Sequence, residues 1–372
     1  MRKTRGLAVL AFLTAVSCSA VPISSPLSKP APTFSIPQGQ RWDPVSVCGH
    51  IFLRGESTVG SGSGPPFEMI VLGDSIVWGQ GLAEEQKSSS LVQKWLADTL
   101  SRPVRKRVYA HSGATVEQDG SRLNLAHGEV PSSSPDVALQ AECVPNPGTV
   151  DLVLVNGCIN DVDATTIFDP TTDPDLAHIE TACKCRCGDP MRTLLTGIAR
   201  RFPNARVVVP GYYPFFSRKT PQVTLRFVTL LFLLVTDSKS DPPSWSVCGN
   251  RLIRKSAVWY EVSNATLAQA VEQANREEGG SGRVTFAPIP VVAENAYGAP
   301  QSLLWGLTEH DNVALSRWWE CLHREKIMDR MRCINASAFH PNPAGAKVYA
   351  DAIIRALEPL PTVESLDDKE TP

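Results

Sequence analysis

Several features that would settle the class of this chain early are missing. Charge of one sign is missing: 36 Lys and Arg face 38 Asp and Glu, for a formal net charge of -2 and a pI near 6.4. A nucleic-acid partner calls for a basic surplus that can displace counterions from phosphates, so that class is set aside. Long apolar runs are missing too. The stretches at 7–16 and 227–235 fall short of the roughly 20 residues that cross a bilayer as a helix, so stable membrane insertion is not expected. Histidine is scarce, with seven, and no His/Cys set has the paired spacing of a metal centre. No metal and no cofactor are therefore expected. No internal repeat suggests a solenoid. Aromatics make up only 7%, yet the hydrophobic fraction is 42%, which excludes a disordered or coiled-coil reading of the bulk. A length of 372 residues suits one enlarged domain or two small ones, and a monomer is expected.

The first 20 residues read as a secretory signal peptide. Arg2, Lys3 and Arg5 precede the short apolar core, and Ser19-Ala20 are small residues suited to cleavage before Val21. Export fits the cysteines. There are ten, and after loss of Cys18 the odd number remaining cannot all pair within one chain. Cys158, just beyond an apolar strand, is the candidate for the unpaired one. The Cys183, Cys185, Cys187 cluster is expected to form disulfides rather than bind metal. Asn264-Ala-Thr266 and Asn335-Ala-Ser337 are sequons that a eukaryotic secretory route would offer for glycosylation.

Composition along the chain divides it further. Residues 21–43 are a Pro/Ser-rich flexible lead-in, 44–360 a single α/β domain with an insert near 212–250, and 361–372 a flexible tail. Residues 56–66 read as a surface loop. Short apolar strands are expected at 67–72, 107–110, 150–155, 206–209 and 284–287. Helices are expected around 91–100, 191–202, 251–277 and from Pro343 onward. The insert, apolar at 227–235, reads either as a buried core element or as a lid facing substrate. Alternating buried strands and helices point to a parallel sheet covered on both faces, with ligands at the carboxyl ends of the strands.

Four residues stand at or near such positions. Ser75 follows the first strand in Gly73-Asp74-Ser75. Serine is a poor nucleophile until a base takes its proton. His340, in a loop stiffened by Pro341 and Pro343 before the last helix, is the candidate base. Gly113 follows the second strand and Asn160 the third, and a glycine N–H and an asparagine amide can donate to a developing oxyanion. Each alone could be turn chemistry.

Together, in this order over residues 67–355, they resemble the SGNH hydrolase superfamily of GDSL-like esterases and lipases, with a leaning toward fungal secreted members. The resemblance implies a three-layer, flavodoxin-like fold with a five-stranded parallel sheet. It implies Ser75 as nucleophile, His340 as base and Gly113 and Asn160 in the oxyanion hole. Two departures stand out. Gly157-Cys-Ile-Asn160-Asp is one residue longer than the family's usual glycine-to-asparagine spacing. Ser337 occupies the place, three before the histidine, where the family usually carries an aspartate. Ser337 or a main-chain carbonyl could orient His340, a carboxylate such as Asp161 or Asp163 could arrive from elsewhere, or the site could be degenerate. The expected function is a secreted, extracellular carboxylic-ester hydrolase acting on a small-molecule, lipid or acylated-polysaccharide ester. The alternative is a catalytically impaired relative that binds glycan or lipid. Trp78 could line a pocket or pack beneath the site, and His111 is expected to be structural.

Overall fold

The computed structural model describes residues 41–47, 50–117, 129–133, 135–162, 164–172, 176–236, 244–307, 311–322 and 327–359. They lie within one compact unit spanning 38–372. The signal-peptide reading, the tail after Pro359 and all but the last residues of the lead-in fall outside them.

Among the described residues seven strands form one sheet: β1 (Arg41–Val47), β2 (His50–Val59), β3 (Phe67–Leu72), β4 (Val104–Val108), β5 (Leu152–Val155), β6 (Arg206–Pro210) and β7 (Val284–Ala287). Their spatial order is β1-β2-β4-β3-β5-β6-β7. The five strands from β4 to β7 run parallel, and β1 and β2 add an antiparallel hairpin at the β4 edge. Counted among the parallel strands alone, the order is 2-1-3-4-5, the flavodoxin-like arrangement with its switch point between β3 and β5. The five parallel strands match expectation in number and order. The hairpin was not anticipated. It starts at Arg41, inside the segment read as lead-in, and β2 continues to Val59, into the segment read as a loop. Pro44 helps to explain this: it suggests irregular chain in sequence, but β1 is an edge strand, where a missing N–H is tolerated.

β4 begins three residues earlier than expected because charge conceals it. Arg105 and Arg107 pair with Glu68 at 2.5 and 3.3 Å, and the fully buried Lys106 reaches Glu84 at 2.6 Å. Burial acts to lower the Lys106 pKa and the contact with Glu84 opposes it.

The sheet has a core on each face. Met69 and Val71 of β3 join one cluster and Ile70 and Leu72 the other, the period-two alternation of a strand buried on both sides. In chain order the helices are α1 (Ser75–Trp78), α2 (Ser88–Leu100), α3 (Val137–Glu142), α4 (Ile159–Val162), α5 (Ala164–Phe168), α6 (Leu176–Cys183), α7 (Asp189–Arg201), α8 (Gln222–Thr236), α9 (Trp245–Glu277), α10 (Ala314–Cys321), α11 (Ile327–Ile334) and α12 (Pro343–Leu357). Val92 and Leu96 of α2 and Ala350, Ile353 and Leu357 of α12 cover one face. Leu194, Leu195 and Ile198 of α7 and Leu252, Trp259 and Leu267 of α9 cover the other. These are the three layers, and they leave the carboxyl ends of β3, β4 and β5 as one rim.

Two disulfides join Cys158 to Cys187 and Cys321 to Cys333. Cys158 is therefore bonded, contrary to its reading as the unpaired cysteine. Cys158, just beyond β5, meets Cys187 of the π-helical turn Lys184–Gly188. Among the described residues, Cys183 and Cys185 find no disulfide partner. No cluster among the described residues has the make-up of a metal site, and no helix among them is long and apolar enough to cross a membrane.

Candidate active site

Ser75 lies in the first turn after β3. Gly73 makes that turn possible: its φ is +137°, and a Cβ there would sit 2.3 Å from Asn156 Oδ1. Gln140 holds the turn from both sides, accepting the Gly73 N–H at 2.7 Å and donating to the Gly73 carbonyl at 3.2 Å. Asp74 caps α1 by accepting the Ile76 N–H at 2.9 Å. It also accepts from Asn156 Nδ2 at 2.9 Å and from the Tyr212 hydroxyl at 3.3 Å. Burial pushes the Asp74 carboxyl up to about 6 against the pull of these three donors.

His340 arrives from 265 residues away, with Nε2 2.7 Å from Ser75 Oγ. Its loop is strapped down on both sides. Trp305 donates its N–H to the His340 carbonyl at 2.8 Å, Phe339 donates to the Trp305 carbonyl at 3.0 Å, and Asn342 donates to the Leu303 carbonyl at 2.9 Å. The Tyr213 hydroxyl holds the Phe339 carbonyl at 2.8 Å. Asn342 caps α12 through the Gly345 N–H, with Pro343 at the first helical position, where its missing N–H costs nothing.

The other ring nitrogen of His340 faces the Ala338 carbonyl at 3.2 Å. A carbonyl can only accept, so Nδ1 carries the proton and Nε2 is left to accept from the Ser75 hydroxyl. The Ser337 side chain makes no hydrogen bond to the imidazole. It is buried, and its hydroxyl donates to Asp311 at 2.5 Å and accepts from Arg317 at 3.1 Å. Arg317 is 1% exposed. It pairs with Asp311 and, at 3.0 Å, with Glu129, which accepts the Trp78 indole N–H at 2.9 Å. Burial lowers the His340 pKa from 6.5 to about 4. The Arg317 charge adds to that, and the carbonyls of Ala338, Ser337 and Ala336 oppose it.

Gly113 and Asn160 stand on the neighbouring strand ends. Gly113 has φ +84° and no room for a side chain, since a Cβ would lie 2.8 Å from Ser132 N. Among the described residues, neither the Gly113 nor the Ser75 N–H has a hydrogen-bond acceptor. Asn160 donates one amide hydrogen to the Ala114 carbonyl at 2.9 Å, which leaves the second. The extra residue in Gly157-Cys-Ile-Asn160 finds its explanation at Cys158. Its φ of +139° puts it in the region that favours glycine, two residues before Asn160.

The remaining candidates resolve as follows. Asp161 accepts the Val116 N–H at 2.9 Å and makes no hydrogen bond to His340. Burial first, and the nearby Asp74 charge, push its carboxyl up to about 7. Asp163 lies outside the described residues. His111 is buried with its ring nitrogens on the Ser112 and Pro135 carbonyls, so it is structural. Trp78 is buried and Lys87 Nζ lies 3.6 Å from its ring centre, so it packs beneath the site. The Asn264 amide is occupied by Tyr212 and Tyr260, whereas Asn335 is exposed. Sequence reasoning missed Asn156, Gln140, Tyr212, Asp311, Arg317 and Glu129. A signal existed for Asn156 and Tyr212, because both follow apolar strands at their carboxyl ends.

Residues 71–230 match the model of the GDSL-like Lipase/Acylhydrolase family. Over that span the chain is similar to GDSL-like lipases and acylhydrolases, and Ser75, Gly113 and Asn160 all fall inside it. No curated protein matches the chain. Among solved structures, the extracellular lipase of Streptomyces rimosus is 16% identical with a TM-score of 0.45, covering 78% of this chain and 99% of its own. The phospholipase A1 of Streptomyces albidoflavus NA297 is 12% identical with a TM-score of 0.47, covering 78% and 100%. A family two carbohydrate esterase from Clostridium thermocellum is 13% identical with a TM-score of 0.38, covering 80% and 66%.

Proposed function

We propose that the chain is an exported carboxylic-ester hydrolase working through a Ser75–His340 dyad oriented by a main-chain carbonyl. The 2.7 Å approach of Nε2 to Oγ, with Nδ1 committed to the Ala338 carbonyl, is the observation that carries this reading. Ser75 Oγ attacks the ester carbonyl carbon as its proton passes to His340 Nε2. The tetrahedral oxyanion is received by the Ser75 and Gly113 N–H groups and the unused amide hydrogen of Asn160. Collapse breaks the bond to the leaving alcohol, which takes the proton from Nε2. Water then attacks the acyl-enzyme by the same route, with His340 as base, and frees the acid.

The alternative, an impaired relative that only binds glycan or lipid, rested on Ser337 standing where an aspartate is usual. A partnered Nδ1 counts against it. Export is supported by the basic-apolar start of the sequence and by the two disulfides. A fluorophosphonate probe tests the nucleophile: wild type is labelled and Ser75→Ala is not. Asn160→Ala should lower kcat by about 10²–10³, the range for one oxyanion donor. Equal ester turnover by wild type and Ser75→Ala would overturn the assignment.

A further inference from the structure

A cavity of about 280 Å³ lies beside the loop that carries His340. Its walls are apolar apart from Asn335. Val228, Leu231 and Phe232 of α8 form one side. Ala338, whose carbonyl holds the imidazole, and Phe339, the residue before His340, form another. Phe168, at the end of the helix that follows Asn160, lines it as well and packs at a tilt against Phe339 with ring centres 4.8 Å apart. The cavity therefore borders the loop that carries the base, and its lining residue Phe339 is one residue from His340.

Resting on the esterase reading above, we propose that this cavity is the acyl subsite and that the chain takes esters of medium-length fatty acids. A pocket with apolar walls has nothing to offer the hydroxyls of a sugar and excludes polar groups at a cost. It suits an alkyl chain, whose transfer from water is favourable in proportion to the area buried. If a methylene takes roughly the ~30 Å³ of a water molecule, the cavity holds about eight to ten carbons. Helix α8 belongs to the segment read from sequence as an insert. It carries one charge, Arg226, in 15 residues. Its outward row of Val223, Phe227, Leu230 and Leu234 is 42–74% exposed, so it is apolar on the cavity side and on the solvent side alike. Such a helix fits a substrate delivered from a lipid phase better than one presented on a hydrated polysaccharide.

The test is a chain-length series of p-nitrophenyl esters from acetate to palmitate, with acetylated xylan beside it, on the wild-type chain. The expected result is a kcat/KM that rises about fourfold per methylene, the value of one buried CH2, and levels off near eight to ten carbons. Leu231→Trp fills the cavity and should lower the decanoate-to-acetate ratio at least tenfold. Phe232→Ala enlarges it and should move the plateau to longer chains. Each ratio is taken within one preparation, so loss of folded protein cancels. Ser75-dependent hydrolysis that is fastest on acetate or acetylated xylan, or ratios that neither variant changes, would overturn the acyl subsite and leave the esterase reading standing. No Ser75-dependent turnover of any ester would overturn both.

Discussion

The lowered pKa of His340 predicts an enzyme that keeps its base in acid. The imidazole is half-buried, near the Arg317 charge, and has carbonyls rather than a carboxylate on Nδ1, which puts its pKa at about 4. At pH 5 about 90% of the molecules then hold the neutral base, against about 3% for an unperturbed histidine. The acid limb of kcat/KM on an uncharged ester should accordingly fall near pH 4. Stability follows the same shift. Between pH 6.5 and about 4 the unfolded chain binds a proton that the native histidine refuses. The unfolded state thus holds more protons, and stability falls as pH falls through this window, by at most about 3 kcal/mol from this group. Asp74 and Asp161, raised to about 6 and about 7, act with the opposite sign, since they keep protons that the unfolded chain has lost. Comparing urea unfolding of wild type and His340→Gln at pH 7 and pH 4 isolates the histidine: the wild type should lose up to about 3 kcal/mol more than the variant on acidification. An acid limb between pH 6 and 7, or an equal loss in both proteins, would refute the reasoning.

Ser337→Asp should damage the protein rather than restore a triad. The new carboxylate would face Asp311, whose counter-ion Arg317 is already shared with Glu129, at a cost of about 3–5 kcal/mol for an uncompensated buried charge. Ser337→Ala should cost only about 1 kcal/mol; urea unfolding and kcat/KM of the two variants give the comparison, and a gain in activity for the aspartate would contradict it. The Cys158–Cys187 disulfide closes 29 residues, so the double serine variant should lose about 3.6 kcal/mol of stability, read from a thermal melt. Placing glycine instead of serine at 158 should recover about 1 kcal/mol, because the backbone there has φ +139°.

What could be read in advance tracks how local the determining interactions are. β3 and β7 were found at their observed bounds because each is a short apolar run ended by turn residues. β4 was misplaced because Arg105, Lys106 and Arg107 look solvated until Glu68 and Glu84, distant in sequence, neutralise them. Ser75, Gly113, Asn160 and His340 stand out as candidates because strand ends and a family pattern mark them. Cys158 was misread because a cysteine beyond a strand carries no sign of its partner 29 residues on.

The same contrast explains why the sequence leaves the orienting group of His340 open between Ser337, a main-chain carbonyl and a distant carboxylate. A carboxylate at position 337 would have announced itself as a residue type; a main-chain carbonyl is present at every position and announces nothing. The serine is explained by its surroundings instead. With Arg317 fully buried between Asp311 and Glu129, two acids already share one cation beneath the loop. A small hydroxyl can donate to Asp311 and accept from Arg317 without adding charge. An aspartate would be a third anion there. The residue at 337 thus serves the packing of the loop, and in the proposed dyad the backbone two residues before His340 orients the base. This division ties the two titration arguments together: without a carboxylate to stabilise the imidazolium, burial and Arg317 are left to depress its pKa, so the acid-shifted profile and the intolerance of Ser337→Asp have one cause.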